Sequence, residues 1–223
     1  MTRGRARGKL PSFQDLVLPI TGLIAMDSFD PQAYGPVFAP LLKTDRRRPL
    51  DAGRPNAEAK TLLKKLSIST AFSQAQTESR KTQPADADMA ACCIAGVWLL
   101  HDCLDESHTI SQAIDTTSGS FWHAILHRRE GDFSNAKYWF RHVGRHPVFA
   151  ELGEQATDLA AKQNEEPLTR KLVADGDWDP FAFVDLCQAV ARGQTAAQKL
   201  CLDIQQAEWE LLFDHCYRKA VGN

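Results

Sequence analysis

The sequence predicts an all-α protein built of antiparallel helical hairpins, packed as a bundle or as a short solenoid. Apolar residues recur every three or four positions through the central and C-terminal parts of the chain. Residues that cap helices stand where this periodicity begins and ends. No alternation of apolar and polar residues is long enough to predict a strand. With 43% hydrophobic and 24% charged residues, the composition is that of a globular protein.

Two regions are predicted: a basic N-terminal extension rich in Pro and Gly over residues 1–57, and an all-helical domain over residues 58–223. In the extension we expect short helical turns and extended pieces, with residues 45–48 as a solvated loop. Seven prolines interrupt any long element there, at positions 11, 19, 31, 36, 40, 49 and 55.

The first predicted helices of the domain start at polar caps. Asn56 is expected to cap a helix that runs to about residue 67, and residues 74–84 form a polar connection. Asp86 or Asp88 then caps a helix with apolar residues at three and four spacing up to Leu104. A glycine inside this helix, Gly96, costs about 1 kcal/mol relative to alanine. A short helix follows, to about residue 114.

A hairpin over residues 120–143 is the best supported element. Its first helix runs from Ser120 and is broken at Gly131, and Asp132 caps its second helix, which Gly144 ends.

The C-terminal third is predicted to contain two further helices. Asp179 caps a helix that begins with Pro180 and ends at Gly193. Thr195 opens a longer helix to about Lys219.

The bulk properties narrow the function classes. Six cysteines without a CxxC pair are expected to be small buried hydrophobic residues, and a cytoplasmic location is expected. The apolar run over residues 16–25 is shorter than the roughly 20 residues that span a bilayer, so no membrane is predicted as partner. A net charge of −2 makes nucleic acid an improbable partner, although the first nine residues carry four cations.

Residues 131–147 carry Gly131, Ala136, Phe140 and Pro147 at a spacing that resembles the second half of a tetratricopeptide repeat. The stretches 119–130 and 178–181 are similar to those of an uncharacterised bacterial protein family that has no assigned activity. The resemblance implies a shared helical fold and supplies no mechanism.

Histidine is the feature that points to chemistry, because six of the seven lie between positions 101 and 146. On a helix, His123, His127 and Glu130 share one face. If the preceding helix continues past residue 105, the members of an equivalent stripe are His101, Asp105 and His108. If these two helix faces lie against each other, their imidazoles and carboxylates would suit a zinc, iron or manganese ion as ligands. The alternative interpretation is that these histidines form a solvated helix surface.

Three functions follow as hypotheses. The first is a helical binding or scaffold protein that presents a polar groove to a small anion, a peptide or a partner protein helix. This groove is lined by His101, His123, His127, Arg128 and Glu130. The second is a metal-dependent enzyme, a hydrolase or an oxygenase, that uses His123, His127 and Glu130. The third is nucleotide or nucleic-acid binding through the cations of residues 128–145. The oligomeric state stays open.

Overall fold

The fold is all-α in the computed structural model, which describes residues 29–72, 83–174 and 176–223. Within these ranges the chain forms eleven α-helices, a 3₁₀ helix at Pro31–Tyr34 and one small antiparallel hairpin. The helices are α1 (Gly35–Leu42), α2 (Ala57–Leu63), α3 (Ile68–Phe72), α4 (Ala87–Leu100), α5 (Leu104–Ser111), α6 (Thr117–Glu130), α7 (Phe133–Val143), α8 (Val148–Gln163), α9 (Glu166–Leu172), α10 (Pro180–Ala191) and α11 (Gln198–Val221). The strands are β1 (Val173–Ala174) and β2 (Asp177–Trp178), with Val173 opposite Trp178.

The predicted fold class is therefore confirmed. The first nine residues, the apolar run 16–25 and most of the predicted polar connection over 74–84 lie outside the described residues. Among the described helices, none is both long and apolar enough to cross a membrane.

Helix α4 lies at the centre, where it packs against α5, α6 and α11, and its residues are buried on nearly all sides. Helix α11 also packs against α8 and α10, while α6 and α7 form an antiparallel pair. Cysteines line this core as buried free thiols, as predicted.

Part of the Pro-rich region contributes to this core. Tyr34 and the fully buried Phe38 meet Phe213 of α11 edge to face, at ring-centroid distances of 5.1 and 5.6 Å. These aromatic contacts fix α1 against the C-terminal helix.

The loop predicted over residues 45–48 is confirmed, with Asp45 exposed, but its arginines are only partly solvated. Its three consecutive arginines are all ion-paired: Arg46 with Glu210, Arg47 with Asp203 and Arg48 with Asp102. Gln205 adds hydrogen bonds from its side-chain amide to the carbonyls of Arg48 and Pro49. The loop is held because its cations meet acids on α11 and at the end of α4.

Gly96 lies where the buried indole of Trp122 crosses α4. A methyl group on Gly96 would stand 2.8 Å from Cζ2 of Trp122, and the Gly96 carbonyl accepts a 3.0 Å hydrogen bond from Nε1 of Trp209. The glycine is therefore needed for close packing between α4, α6 and α11.

We expect Gly96→Ala to destabilise the protein, although alanine is the better helix former by about 1 kcal/mol. The extra methyl overpacks the core, which typically costs about 1–3 kcal/mol. Urea unfolding of the variant measures this, and Glu154→Ala, at an exposed position of α8, is the control that stays within about 0.5 kcal/mol of wild type. A more stable Gly96→Ala protein would contradict the packing argument.

The central helix ends earlier than predicted, at Leu100 instead of Leu104. Asp102 adopts a left-handed backbone (φ 58°), and its carboxylate pairs with Arg48 and with Arg129, the latter at 2.5 Å. The amide of Cys103 donates back to the carbonyl of Trp98, which closes the turn. An aspartate tolerates this conformation better than most residues, and the two arginines hold it there.

The helix-capping predictions for α2, α4, α7 and α10 are confirmed, with Asn56, Asp86, Asp132 and Asp179 each accepting a backbone N–H bond. Helix α6 begins three residues earlier than predicted, because the Thr116 hydroxyl accepts from the amide of Gly119. It ends at Gly131, whose φ of 79° terminates the helix as expected.

Candidate metal centre

Three neighbouring helices supply the candidate site. The second half of α5 carries His108, α6 carries His123 and His127 one turn apart, and α7 carries Asn135 and Trp139, also one turn apart. The turn at Gly131 folds α7 back along α6, so these pairs face each other. The site therefore depends on the helical hairpin and on the packing of α5 against α6.

The three imidazoles form a compact group. One possible ligand atom from each of His108, His123 and His127 lies within 4.8 Å of the other two. The ring of His108 meets those of His123 and His127 edge to face, at 4.6 and 5.3 Å between centroids. The latter two rings stack at 4.7 Å. Protein ligands around one zinc ion stand about 3.3 Å apart, given bonds near 2.0 Å, so binding would draw these atoms together by up to about 1.5 Å.

Two of the three histidines are buried, which overturns the interpretation of His123 and His127 as solvated, while His108 is half-buried. Only 2% of His123 and 6% of His127 is exposed, and the indole of Trp139 stacks on the His123 ring at 3.9 Å. Burial, together with the neighbouring His127 and His108, lowers the pKa of His123 to about 3. The ring of His123 is thus neutral at physiological pH, which is the form that binds metals.

His123 has no hydrogen-bond partner for either ring nitrogen within the described part of the chain. A neutral imidazole carries one donor and one acceptor, and leaving a buried polar group unpaired costs about 1–3 kcal/mol. Native structures rarely accept this cost without a ligand or a functional reason. The unpaired nitrogens therefore point to a missing partner beside His108 and His127.

His127 is oriented by two side chains. Its Nδ1 lies 2.8 Å from Oε2 of Glu130, and its Nε2 lies 3.1 Å from Nδ2 of Asn135. Since a carboxylate accepts, Nδ1 carries the proton, and the lone pair of Nε2 accepts the amide N–H of Asn135, which a metal on this nitrogen would displace. A histidine held by a carboxylate in this way is the usual arrangement behind a metal ligand. Burial lowers the pKa of His127, and Glu130 acts in the opposite direction.

The structure places the other predicted site residues elsewhere. His101 follows the end of α4 and its Nε2 bonds to the carbonyl of Leu41 at 2.9 Å, while Asp105 is exposed on α5. The stripe of His101, Asp105 and His108 does not form, because the turn at Asp102 separates α4 from α5. His108 alone of these three joins the histidines of α6.

Arg128 is fully buried against α10 and α11. Its guanidinium forms a bidentate ion pair with Glu208 and lies 4.6 Å above the ring of Phe183. The cations proposed for phosphate binding are also dispersed, since Arg129 pairs with Asp102 and Lys137 with Asp185.

The sequence does not predict Asn135 as a site residue, and it groups Trp139 with the cations of residues 128–145 instead of with the histidines. A signal for Asn135 exists, because it follows Gly131 by four residues and His127 precedes Gly131 by four. Positions equidistant from a tight turn face each other in a helical hairpin. Trp139 then falls one turn further along the same face.

Comparisons with protein-family models, with curated proteins and with solved structures gave no match.

The ligand atoms of the three histidines favour some metals over others. Imidazole nitrogen suits zinc, copper, iron and nickel, whereas manganese prefers carboxylate oxygens. Of the three predicted metals, zinc and iron fit the three histidines better than manganese.

Proposed function

We propose that this protein binds a divalent transition-metal ion, zinc in first place, through His108, His123 and His127. The observation that carries the proposal is the buried ring of His123, whose two nitrogens lack partners beside two further imidazoles. A metal ion would take up one of these nitrogens and would use the neutral form that burial enforces.

The charges around the site support the same proposal. Glu130 bonds to His127, and the carboxylate of Asp132 also interacts electrostatically with that ring. The pKa of Asp132 is lowered, chiefly because its carboxylate accepts the backbone N–H of Asn135. Two carboxylates next to the imidazoles would offset the charge of a divalent cation.

Among metal-dependent activities, hydrolysis fits better than oxygen activation. Catalytic zinc sites use three protein ligands and keep the fourth position for water, whose pKa falls to about 7 when bound. Iron oxygenases commonly use two histidines and one carboxylate. Here Glu130 is engaged with Nδ1 of His127 and stands behind that ligand. We therefore propose metal-dependent hydrolysis as the activity of this centre.

The scaffold hypothesis stays a proposal in a narrower form. The side chains of His101 and Arg128 bond to Leu41 and Glu208, so only His123, His127 and Glu130 of the predicted groove residues lie together. Of these three, only Glu130 is exposed and open to a peptide or a partner helix, since His123 and His127 are buried.

The test is elemental analysis of untagged protein purified without chelator. We expect near-stoichiometric zinc or iron in the wild type. His108→Ala should weaken metal affinity by more than about 100-fold, since changes behind the ligands alone cost about 10- to 100-fold. His108 is the suitable position because it is half-buried and its replacement disturbs the core least.

His142→Ala is the matched control. His142 is an exposed histidine on α7 whose Nδ1 lies 3.0 Å from the carbonyl of Tyr138, outside the cluster. The control should retain the wild-type metal content. A wild type without metal, and without thermal stabilisation by added Zn²⁺, Co²⁺ or Fe²⁺, would refute the metal centre.

A further inference from the structure

The lone pair of His127 that could bind a metal has a partner inside the protein. Nδ1 of this ring donates its proton to Glu130 at 2.8 Å, so the lone pair is on Nε2, where it accepts the side-chain N–H of Asn135 at 3.1 Å. A metal on Nε2 would lie along the direction of the same lone pair. The amide of Asn135 and a metal ion therefore exclude each other at His127.

Of the two hydrogen bonds that hold His127, the one from Asn135 gives way more easily. The bond to Glu130 involves a carboxylate, and such bonds are about twice as strong as those between neutral groups. Asn135 is half-buried, so its displaced amide can turn towards water. Its backbone stays in place during this rotation, because its main-chain N–H donates to Oδ1 of Asp132 at 3.0 Å in the first turn of α7.

The two buried histidines of the cluster differ in this respect. Neither ring nitrogen of His123 has a hydrogen-bond partner in the described part of the chain, so binding a metal there breaks no bond. At His127 a metal must first displace an amide. We infer that Asn135 is an internal competitor of the metal ion, which covers the lone pair of His127 and lowers the affinity of the site for divalent transition metals. This inference rests on the proposed metal centre, and it makes Asn135 the residue that sets the metal concentration at which the centre fills.

The experiment measures the Zn²⁺ affinity of the full chain by competition with a chromophoric chelator. We expect Asn135→Ala to bind zinc about 2- to 10-fold more tightly than wild type, which corresponds to the net contribution of one hydrogen bond between neutral groups. Asn135→Asp should bind zinc more tightly still, because a carboxylate cannot donate to Nε2 and can itself serve as a zinc ligand. Zinc affinity in Asn135→Ala that equals the wild-type value, or falls below it, would overturn the inference.

Urea unfolding gives a second measurement. Saturating zinc should stabilise Asn135→Ala more than it stabilises wild type, and comparing each protein with and without zinc removes the effect of alanine on helix α7 itself. Ser134→Ala is the control, because Ser134 is the exposed neighbour whose hydroxyl donates to Asp132, and its zinc affinity should equal that of wild type. If wild type binds zinc and Asn135→Ala binds it no more tightly, the inference fails and the metal centre stands. If neither protein binds zinc, the metal centre is refuted and the inference with it.

Discussion

Replacing Glu208 by leucine alone is expected to lower the free energy of unfolding by about 3–5 kcal/mol. Both partners of the Arg128–Glu208 ion pair are almost completely buried, with side-chain exposures of 1% and 0%. The substitution leaves a guanidinium inside the protein that has lost its carboxylate and keeps its contact with the Phe183 ring, 4.6 Å away. Desolvation of an unpaired charge is the physical cause of the loss. Urea unfolding at neutral pH measures it.

The double variant Arg128→Met/Glu208→Leu separates this cause from a simple loss of packing. Replacing both partners removes the uncompensated charge, so we expect stability within about 1–2 kcal/mol of wild type, or above it. Asp185→Asn, which breaks the exposed pair with Lys137, should cost less than about 1 kcal/mol. A double variant as unstable as the sum of its two single variants would contradict the electrostatic explanation.

The ion pair also explains how α6 presents its histidines. Successive residues on a helix point about 100° apart. His127 therefore faces α5 and α7, Arg128 faces Glu208 on α11, and Arg129 reaches Asp102 and the carbonyl of Leu99 at the end of α4. Two buried arginines fix the rotation of the helix about its axis, and with it the position of the candidate site.

Features that depend on contacts between residues close in sequence were predicted, and features that depend on contacts between distant residues were not. Asp132 and Gly131 set helix bounds through contacts within a few residues, and the pairing of His123 with His127 follows from helical spacing alone. The turn at Asp102 depends on Arg48 and Arg129, which lie 54 and 27 residues away in sequence. No local pattern reports such partners, and the predicted helix therefore ran on to Leu104.

The same reasoning applies to the site. The sequence groups His108 with His101 on one uninterrupted helix. In the structure a new helix, α5, begins after the turn, and this brings His108 to the other two histidines. The burial of His123 results from packing by Trp139 and α5, which composition and periodicity do not reveal.

A large loss of folding stability is also expected when the pH is lowered. Burial lowers the pKa of His123 to about 3 and, together with the nearby His215, lowers that of His146 to about 4, against 6.5 for an exposed histidine. Below pH 6.5 the unfolded chain takes up protons that the folded protein does not. Stability is therefore full above pH 6.5 and falls as the pH is lowered towards the folded pKa values. For these two groups the loss between pH 7 and pH 5 is about 4 kcal/mol.

His146 allows the contribution of one group to be measured apart from the metal centre. Its Nδ1 accepts the backbone N–H of Val148, so its Nε2 carries the proton and donates to Oγ of Ser118 at 3.0 Å. A second proton would have to displace the bond from Val148 inside the core, which adds to the cost of burial. His146→Gln cannot titrate, so between pH 7 and pH 5 it should lose about 2 kcal/mol less stability than the wild type, with chelator present in both samples. Equal losses in the two proteins would show that His146 is accessible to protons in the folded state, and the explanation by burial would fail.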